Sequence, residues 1–242
     1  MAGRRFKTAF IPGAGLGTRL RHLTERCPKP LLEVGGRPII TYAMDHLLGI
    51  GVERFIVNTH HCADVYYQRF PEKQWRGAPI IFRHEPVLLD TAGGLKNIED
   101  LLSDDQTILC YNGDAITNLP LQGLLQFHAH RQPDITLALR SSGFPLNVNI
   151  NERGEICDIR NVLNNPGIQT CFFASIYAVE TSLLRHIEAG RIESMASIFI
   201  RRIRENPGSV LGVIIDEGNW RSVDSVEEYE QMKTQAASVE DR

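Results

Sequence analysis

Three glycines in five residues, Gly13-Ala14-Gly15-Leu16-Gly17, followed by Thr18-Arg19 and then Pro28-Lys29-Pro30, mark where this chain of 242 residues is best equipped for chemistry. The apolar run 6–11 ahead of them has the composition of a buried strand. Glycine carries no Cβ, so the backbone can turn sharply and successive N–H groups can approach an anion. Arg19 and Lys29 place two fixed positive charges just beyond that cradle. A loop so built can hold the phosphates of a nucleoside triphosphate. Two better-known glycine motifs are excluded. With Gly13 and Gly15 as its first two glycines, the dinucleotide fingerprint needs a third at position 18, which is Thr18. No Gly-Lys-Ser/Thr string of the P-loop occurs anywhere.

The two-part pattern Gly15-Leu16-Gly17-Thr18-Arg19-Leu20 and Pro28-Lys29-Pro30 resembles the signature of the sugar-1-phosphate nucleotidyltransferases. With Asp90-Thr91-Ala92-Gly93-Gly94 added, the chain is most similar to the short N-acetylmuramate-1-phosphate uridylyltransferases and mannose- or heptose-1-phosphate guanylyltransferases. The resemblance implies that Arg19 and Lys29 are catalytic, and that Gly13, Ala14, Gly15, Gly17 and Thr18 hold the nucleotide. It assigns base contact to Glu85 and Gly93. A glutamate offers only acceptors, so Glu85 would read an N–H edge such as uracil N3 or guanine N1/N2, which favours UTP or GTP.

In Tyr111-Asn112-Gly113-Asp114 a strand runs into a carboxylate, a position suited to a hard cation that also bridges phosphate oxygens. The resemblance makes Asp114 a ligand of catalytic Mg²⁺. The family's second metal aspartate falls on Ser222, and Asp224, two residues on, is the acid that could replace it. Residues Cys171 to Tyr177 resemble the sugar-site strand, with Ser175 where glycine is usual. The family's Glu-Lys-Pro is missing, which leaves Arg160 as the nearest cation for a sugar phosphate, beside Asn112. His60-His61-Cys62 lacks a third ligand at useful spacing, and His128 and His130 lie near a helix end, where cations are favourable anyway.

These residues need a scaffold, and the apolar pattern describes one. Strand-like runs at 6–11, 54–58, 79–82, 107–111 and 135–139 alternate with helical stretches at 38–50, 63–69, 93–102 and 121–130. That alternation predicts an α/β fold with a doubly wound, mostly parallel mixed sheet, whose ligands sit beyond the carboxyl ends of the strands. From 141 the grammar changes to short strands at 148–150, 156–159 and 172–177, predicting a smaller antiparallel sugar-binding region laid over the first sheet. Helices at 180–189, 194–205 and 226–236 and a strand at 210–215 complete the chain. A single nucleotidyltransferase domain is expected over 1–242: a nucleotide-binding half at 6–140, a sugar-phosphate-binding half at 141–229 and a polar tail at 230–242.

A net charge of −3 leaves no footprint for nucleic acid or an anionic membrane, and five widely spaced cysteines suit reduced thiols in the cytoplasm. No run approaches the length of a membrane span. The expected reaction moves a nucleotidyl group from an NTP to a sugar 1-phosphate. Two alternatives stand beside it: a catalytically impaired nucleotide-sugar-binding regulatory homologue, and a cytidylyltransferase acting on a non-sugar phosphate. The sequence leaves homo-oligomerisation open.

Overall fold

The computed structural model describes residues 6–102 and 107–240, with the side chains of Arg21 and of 236–240 excepted. The basic start 1–5 and the last two residues of the polar tail lie outside the described residues. The chain opens with β1 (Thr8–Pro12), two 3₁₀ turns at Thr18–Thr24 and Lys29–Leu31, and a hairpin of β2 (Glu33–Val34) and β3 (Arg37–Pro38). Helix α1 (Ile40–Gly49) leads to β4 (Arg54–Thr59), α2 (Ala63–Arg69), β5 (Gln74–Trp75) and β6 (Ala78–His84). Then come α3 (Asp90–Lys96), β7 (Thr107–Tyr111), β8 (Ala115–Thr117), α4 (Gln122–Arg131) and β9 (Ile135–Arg140). Strands β10 (Val148–Ile150), β11 (Ile156–Ile159) and β12 (Gln169–Glu180) precede α5 (Met195–Glu205), β13 (Val210–Ile214), β14 (Trp220–Ser222) and α6 (Val226–Glu240).

Strands β7, β1, β4 and β6 lie side by side and parallel, as the alternating pattern predicts. Successive side chains of a strand point to opposite faces. Accordingly Ala9 and Ile11 of β1 enter one core with α1, while Phe10 enters the other, beside residues of α3 and α5. Strand β7 repeats the division, with Leu109 and Tyr111 on one side and Ile108 and Cys110 on the other. Both faces are covered, which is why these strands read as unbroken apolar runs.

The antiparallel region is not a layer over this sheet but its continuation. The second half of β12 pairs with β7 and its first half with β10, so one long strand joins the two parts. The register of β12 against β9 shifts between Phe173 and Tyr177, and Ser175 sits in that bulge at φ 62°. Such a bulge bends a strand and re-aims its side chains.

Three helix expectations are corrected. Helix α1 begins at Ile40 rather than at 38, because Pro38 is held in β3 and its carbonyl accepts the Thr41 hydroxyl at 2.7 Å. The stretch 93–102 divides into α3, which begins at Asp90, and a 3₁₀ turn at Glu99–Leu101. Glu180 ends β12, and Thr181–His186 is a 3₁₀ turn. The Glu180 carboxylate accepts from Thr107 and meets buried His128, which ties that residue to the sheet. No helix among the described residues is long and apolar enough to cross a membrane.

Candidate active site

A cavity of about 360 Å³ opens where the segments after β1, β6 and β7 meet, beyond the carboxyl ends of the parallel strands. Ala14, Gly15, Gly17 and Lys29 line it from the first loop, and Asn112, Gly113 and Asp114 from the third. A Cβ built on Gly15 would meet nothing within 4 Å, so protein packing does not require glycine there and the space belongs to the cavity. Gly13 is different. Its N–H donates to Asn58 Oδ1 at 2.8 Å, its carbonyl accepts from the Tyr66 hydroxyl at 2.9 Å, and a Cβ would lie 2.6 Å from that hydroxyl oxygen. Gly13 therefore pins the loop to β4 and α2, and its amide is not free to cradle phosphate. Thr18 is exposed at the start of its 3₁₀ turn and lines neither this cavity nor the one described below.

Lys29 is the best enclosed charge of the group, its side chain 11% exposed. Its ammonium donates to Asp114 Oδ2 at 2.5 Å and to Asp224 Oδ1 at 3.2 Å. Arg19 reaches the same Asp224 oxygen at 2.8 Å, although its own side chain is 72% exposed. Asp224 arrives here through β14, which pairs with β8 so that Ser222 faces Ala115, next to Asp114. Glu228 then accepts from the amides of Asp224 and Ser225, while the Ser225 hydroxyl accepts from the Glu228 N–H, a reciprocal cap on α6. Burial would raise the Asp224 carboxyl, but the Ser222 hydroxyl and the Lys29 and Arg19 charges outweigh it and hold it below its ordinary value.

Two carboxylates thus converge on one cation. Their oxygens are the donor set a hard divalent ion takes, with phosphates and water completing its shell. Among the described residues there is no cluster of three or more His, Cys, Asp or Glu placed to hold a metal, so two carboxylates meet here without forming a closed cage.

The expectation that Glu85 and Gly93 touch the base is corrected. Glu85 is fully buried, its Oε1 accepting from Asn58 Nδ2 at 2.7 Å and its Oε2 from the Leu89 amide at 3.1 Å. The Gly93 amide donates to the Glu193 carbonyl at 3.1 Å, and a Cβ there would lie 2.4 Å from the Arg191 carbonyl oxygen. Gly93 is small because residues 191–193 cross over it. From the β6–α3 connection Leu88, Asp90 and Thr91 line the cavity, together with Ile192 of that crossing segment.

A second cavity, of about 450 Å³, adjoins the first and shares Asn112 and Asp114 with it. Arg160 and Ser175 line it, together with Arg19, Ser222 and Asp224. Its aromatic wall is Phe172 edge-on to Trp220 at 4.6 Å, with Phe144 at the rim. Sequence reasoning missed Asn58, the strap at 191–193 and this wall. Asn58 carried a readable signal, a polar residue at the end of an apolar parallel strand. His60 and His61 each contact a backbone carbonyl at 2.7 Å, those of Glu85 and Thr24.

An α/β sheet with a glycine loop, two convergent acids and adjoining cavities defines a class of nucleotide-handling protein, and comparison with known proteins agrees. The nucleotidyl transferase family signature matches residues 8–143, more than half of the sequence, and the chain belongs to that family. It is 28% identical over 225 residues to a mannose-1-phosphate guanylyltransferase of Mycobacterium tuberculosis, covering 91% of this chain and 62% of the relative. It is 35% identical over 113 residues to a UTP–glucose-1-phosphate uridylyltransferase of Haloferax volcanii, covering 47% of this chain and 45% of the relative. The chain therefore spans less than two thirds of the length of either relative. Its fold is that of HddC from Yersinia pseudotuberculosis, solved in complex with GMP-PN, at a TM-score of 0.75 and 18% identity, with 94% of this chain and 98% of that one covered.

Proposed function

We propose that the chain transfers a nucleotidyl group from a nucleoside triphosphate to a sugar 1-phosphate and releases pyrophosphate. The observation that carries this reading is the junction of two cavities at Asn112 and Asp114, with Lys29 beside it. The first cavity takes the triphosphate and the second the sugar phosphate, so acceptor and α-phosphate meet at the shared wall. A phosphate oxygen of the sugar attacks the α-phosphorus in line, the new P–O bond forms, and the bond to pyrophosphate breaks. No covalent enzyme intermediate is needed, and the protein contributes position and charge.

Lys29 neutralises charge where the two phosphates meet, and the amides around Gly15 and Gly17 hold the triphosphate. Arg19 lines the acceptor cavity, and Arg160, Ser175 and Asn112, which line it too, serve as polar contacts for the sugar phosphate. Asp114 and Asp224 would hold Mg²⁺, which when bound supplies charge neutralisation to the crowded phosphates. The five free cysteines suit a reducing compartment such as the cytoplasm. Serine at 222 is what an impaired regulatory homologue would show, but Asp224 restores a second carboxylate and weighs against that reading.

The test is a pyrophosphate-release screen of the four NTPs against a panel of sugar 1-phosphates with Mg²⁺. The expected result is release that needs both substrates, with UTP or GTP as donor. Binding without release for every pair would favour the regulatory homologue. Release only with CTP and a non-sugar phosphate would favour the cytidylyltransferase.

A further inference from the structure

The relatives differ in the base they take, and the buried Glu85 cannot choose between them. Two carboxylates line the first cavity: Asp114, which is paired with Lys29, and Asp90. We propose that Asp90 is the residue that reads the nucleobase, and that the base it selects is guanine; the inference rests on the first cavity being the nucleotide site.

Three observations carry it. First, Asp90 holds a left-handed backbone conformation, φ 61°, which a residue with a Cβ adopts at a cost. Glycine would meet that conformation without strain, so the side chain is retained where geometry alone would not ask for one. Second, the carboxylate is held in place: Oδ1 accepts from the Thr91 amide at 2.6 Å, and the Thr91 hydroxyl accepts from the Met195 amide at 2.8 Å. Oδ2 and a further lone pair on Oδ1 remain for a ligand. Third, two apolar residues line the same cavity: Leu88 and Ile192, the latter 64% exposed, offer surface on which a flat ring can lie while its edge is read.

Charge orders the nucleotide along the cavity. Lys29 stands at the end formed by the loops after β1 and β7, and Asp90 follows β6. Three strand spacings separate β7 from β6, about 14 Å in all. Asp114 at the Lys29 end is paired with that cation and would share a divalent ion with the phosphates. Asp90 makes no ion pair among the described residues, so the triphosphate goes to Lys29 and the base to Asp90. Of the common bases only guanine shows two adjacent donors on its Watson–Crick edge, N1–H and N2–H, which match the two oxygens of a carboxylate. Uracil flanks its single N3–H with two carbonyl oxygens, and adenine and cytosine place an acceptor beside their amine. Each of these sets an acceptor against one carboxylate oxygen.

The experiment is calorimetric titration of the whole chain with GTP, ITP, UTP and ATP, for the wild type, Asp90→Asn and Asp90→Gly, each checked by its melting temperature. ITP lacks only the N2 amine. Loss of one hydrogen bond to a charged acceptor predicts at least about tenfold weaker binding for ITP than for GTP. Asp90→Asn turns a donor toward guanine, and Asp90→Gly removes the reader while relieving the backbone, so both bring the GTP-to-ITP ratio to about one. Retention of the wild-type ratio in either variant, or tighter binding of UTP or ATP than of GTP by the wild type, overturns the proposal while leaving a nucleotide site. Absence of binding for all four triphosphates removes the nucleotide reading and this proposal together.

Discussion

Lys29 separates Asp114 from Asp224 and meets both, which makes it the residue on which the account leans most heavily. Replacing it with alanine removes charge stabilisation at the reacting phosphates and leaves two carboxylates facing each other. Lys29→Ala is expected to lower turnover by roughly a hundredfold or more, in line with the loss of one preorganised charged donor. Arg19→Ala, at a more exposed charge, is expected to lower it by about tenfold with a melting temperature near that of the wild type, while Lys29→Ala melts lower but keeps the wild-type circular dichroism spectrum. Normal turnover in Lys29→Ala would remove that residue from the mechanism. Asp224 invites a second comparison. Asp224→Asn should raise the Mg²⁺ concentration for half-maximal activity severalfold. Ser222→Ala should raise it less, since that hydroxyl supports Asp224 without replacing it. Equal Mg²⁺ curves for Asp224→Asn and the wild type would mean a site with one protein carboxylate. That residues 15, 17, 19, 29 and 114 gather at the two cavities is legible in the sequence, because a glycine-rich turn and fixed charges are local features. Glu85 was misread because its partners, Asn58 and Leu89, come together only in the fold.

Elements with one clear apolar rhythm were legible too. The sequence ranges for α2, β7, β10 and β11 coincide with the observed ones. What escaped was the strap at 191–193, whose Glu193 carbonyl receives the amides of both Ala92 and Gly93 from about a hundred residues earlier in the chain. No local pattern announces such a contact. Two glycines make the distinction testable. A Cβ on Gly93 would press the Arg191 carbonyl at 2.4 Å and Leu89 at 2.8 Å, so Gly93→Ala must displace the strap or the helix. Overpacking of this kind costs about 1–3 kcal/mol, a fall of roughly 2–12 °C in Tm for a chain of this size. Gly15→Ala meets no protein atom and should melt near the wild type while binding triphosphate more weakly. Scanning calorimetry and nucleotide titration of both variants give the check. Equal melting temperatures for the two would contradict the assigned role of Gly93.

At the scale of the whole molecule, the change from alternating strands and helices to short antiparallel strands suggests, in the sequence, a region laid over the first sheet. It is instead one sheet, because β12 is long enough to pair with β7 and β10 in turn. Length is what hid this, since the sequence showed an apolar strand only over 172–177. A shared strand should make the two halves unfold together. Trp75 lies in the first half and Trp220 in the second, so the fluorescence of Trp75→Phe and Trp220→Phe should give coincident urea midpoints once each variant is referenced to its own circular dichroism curve. Separate midpoints would mean two folding units. The same continuity is what brings the two cavities to a common wall, and the central claim is that a nucleotidyl group crosses it. Phosphorus-31 NMR of the protein with GTP or UTP, a sugar 1-phosphate and Mg²⁺ observes that transfer directly. Pyrophosphate and the paired diphosphate signals of a nucleotide sugar are expected to grow together, at equal rates, in the wild type and not in Asp114→Asn. Hydrolysis of the triphosphate with the sugar 1-phosphate signal unchanged, or equal product in Asp114→Asn, would contradict it.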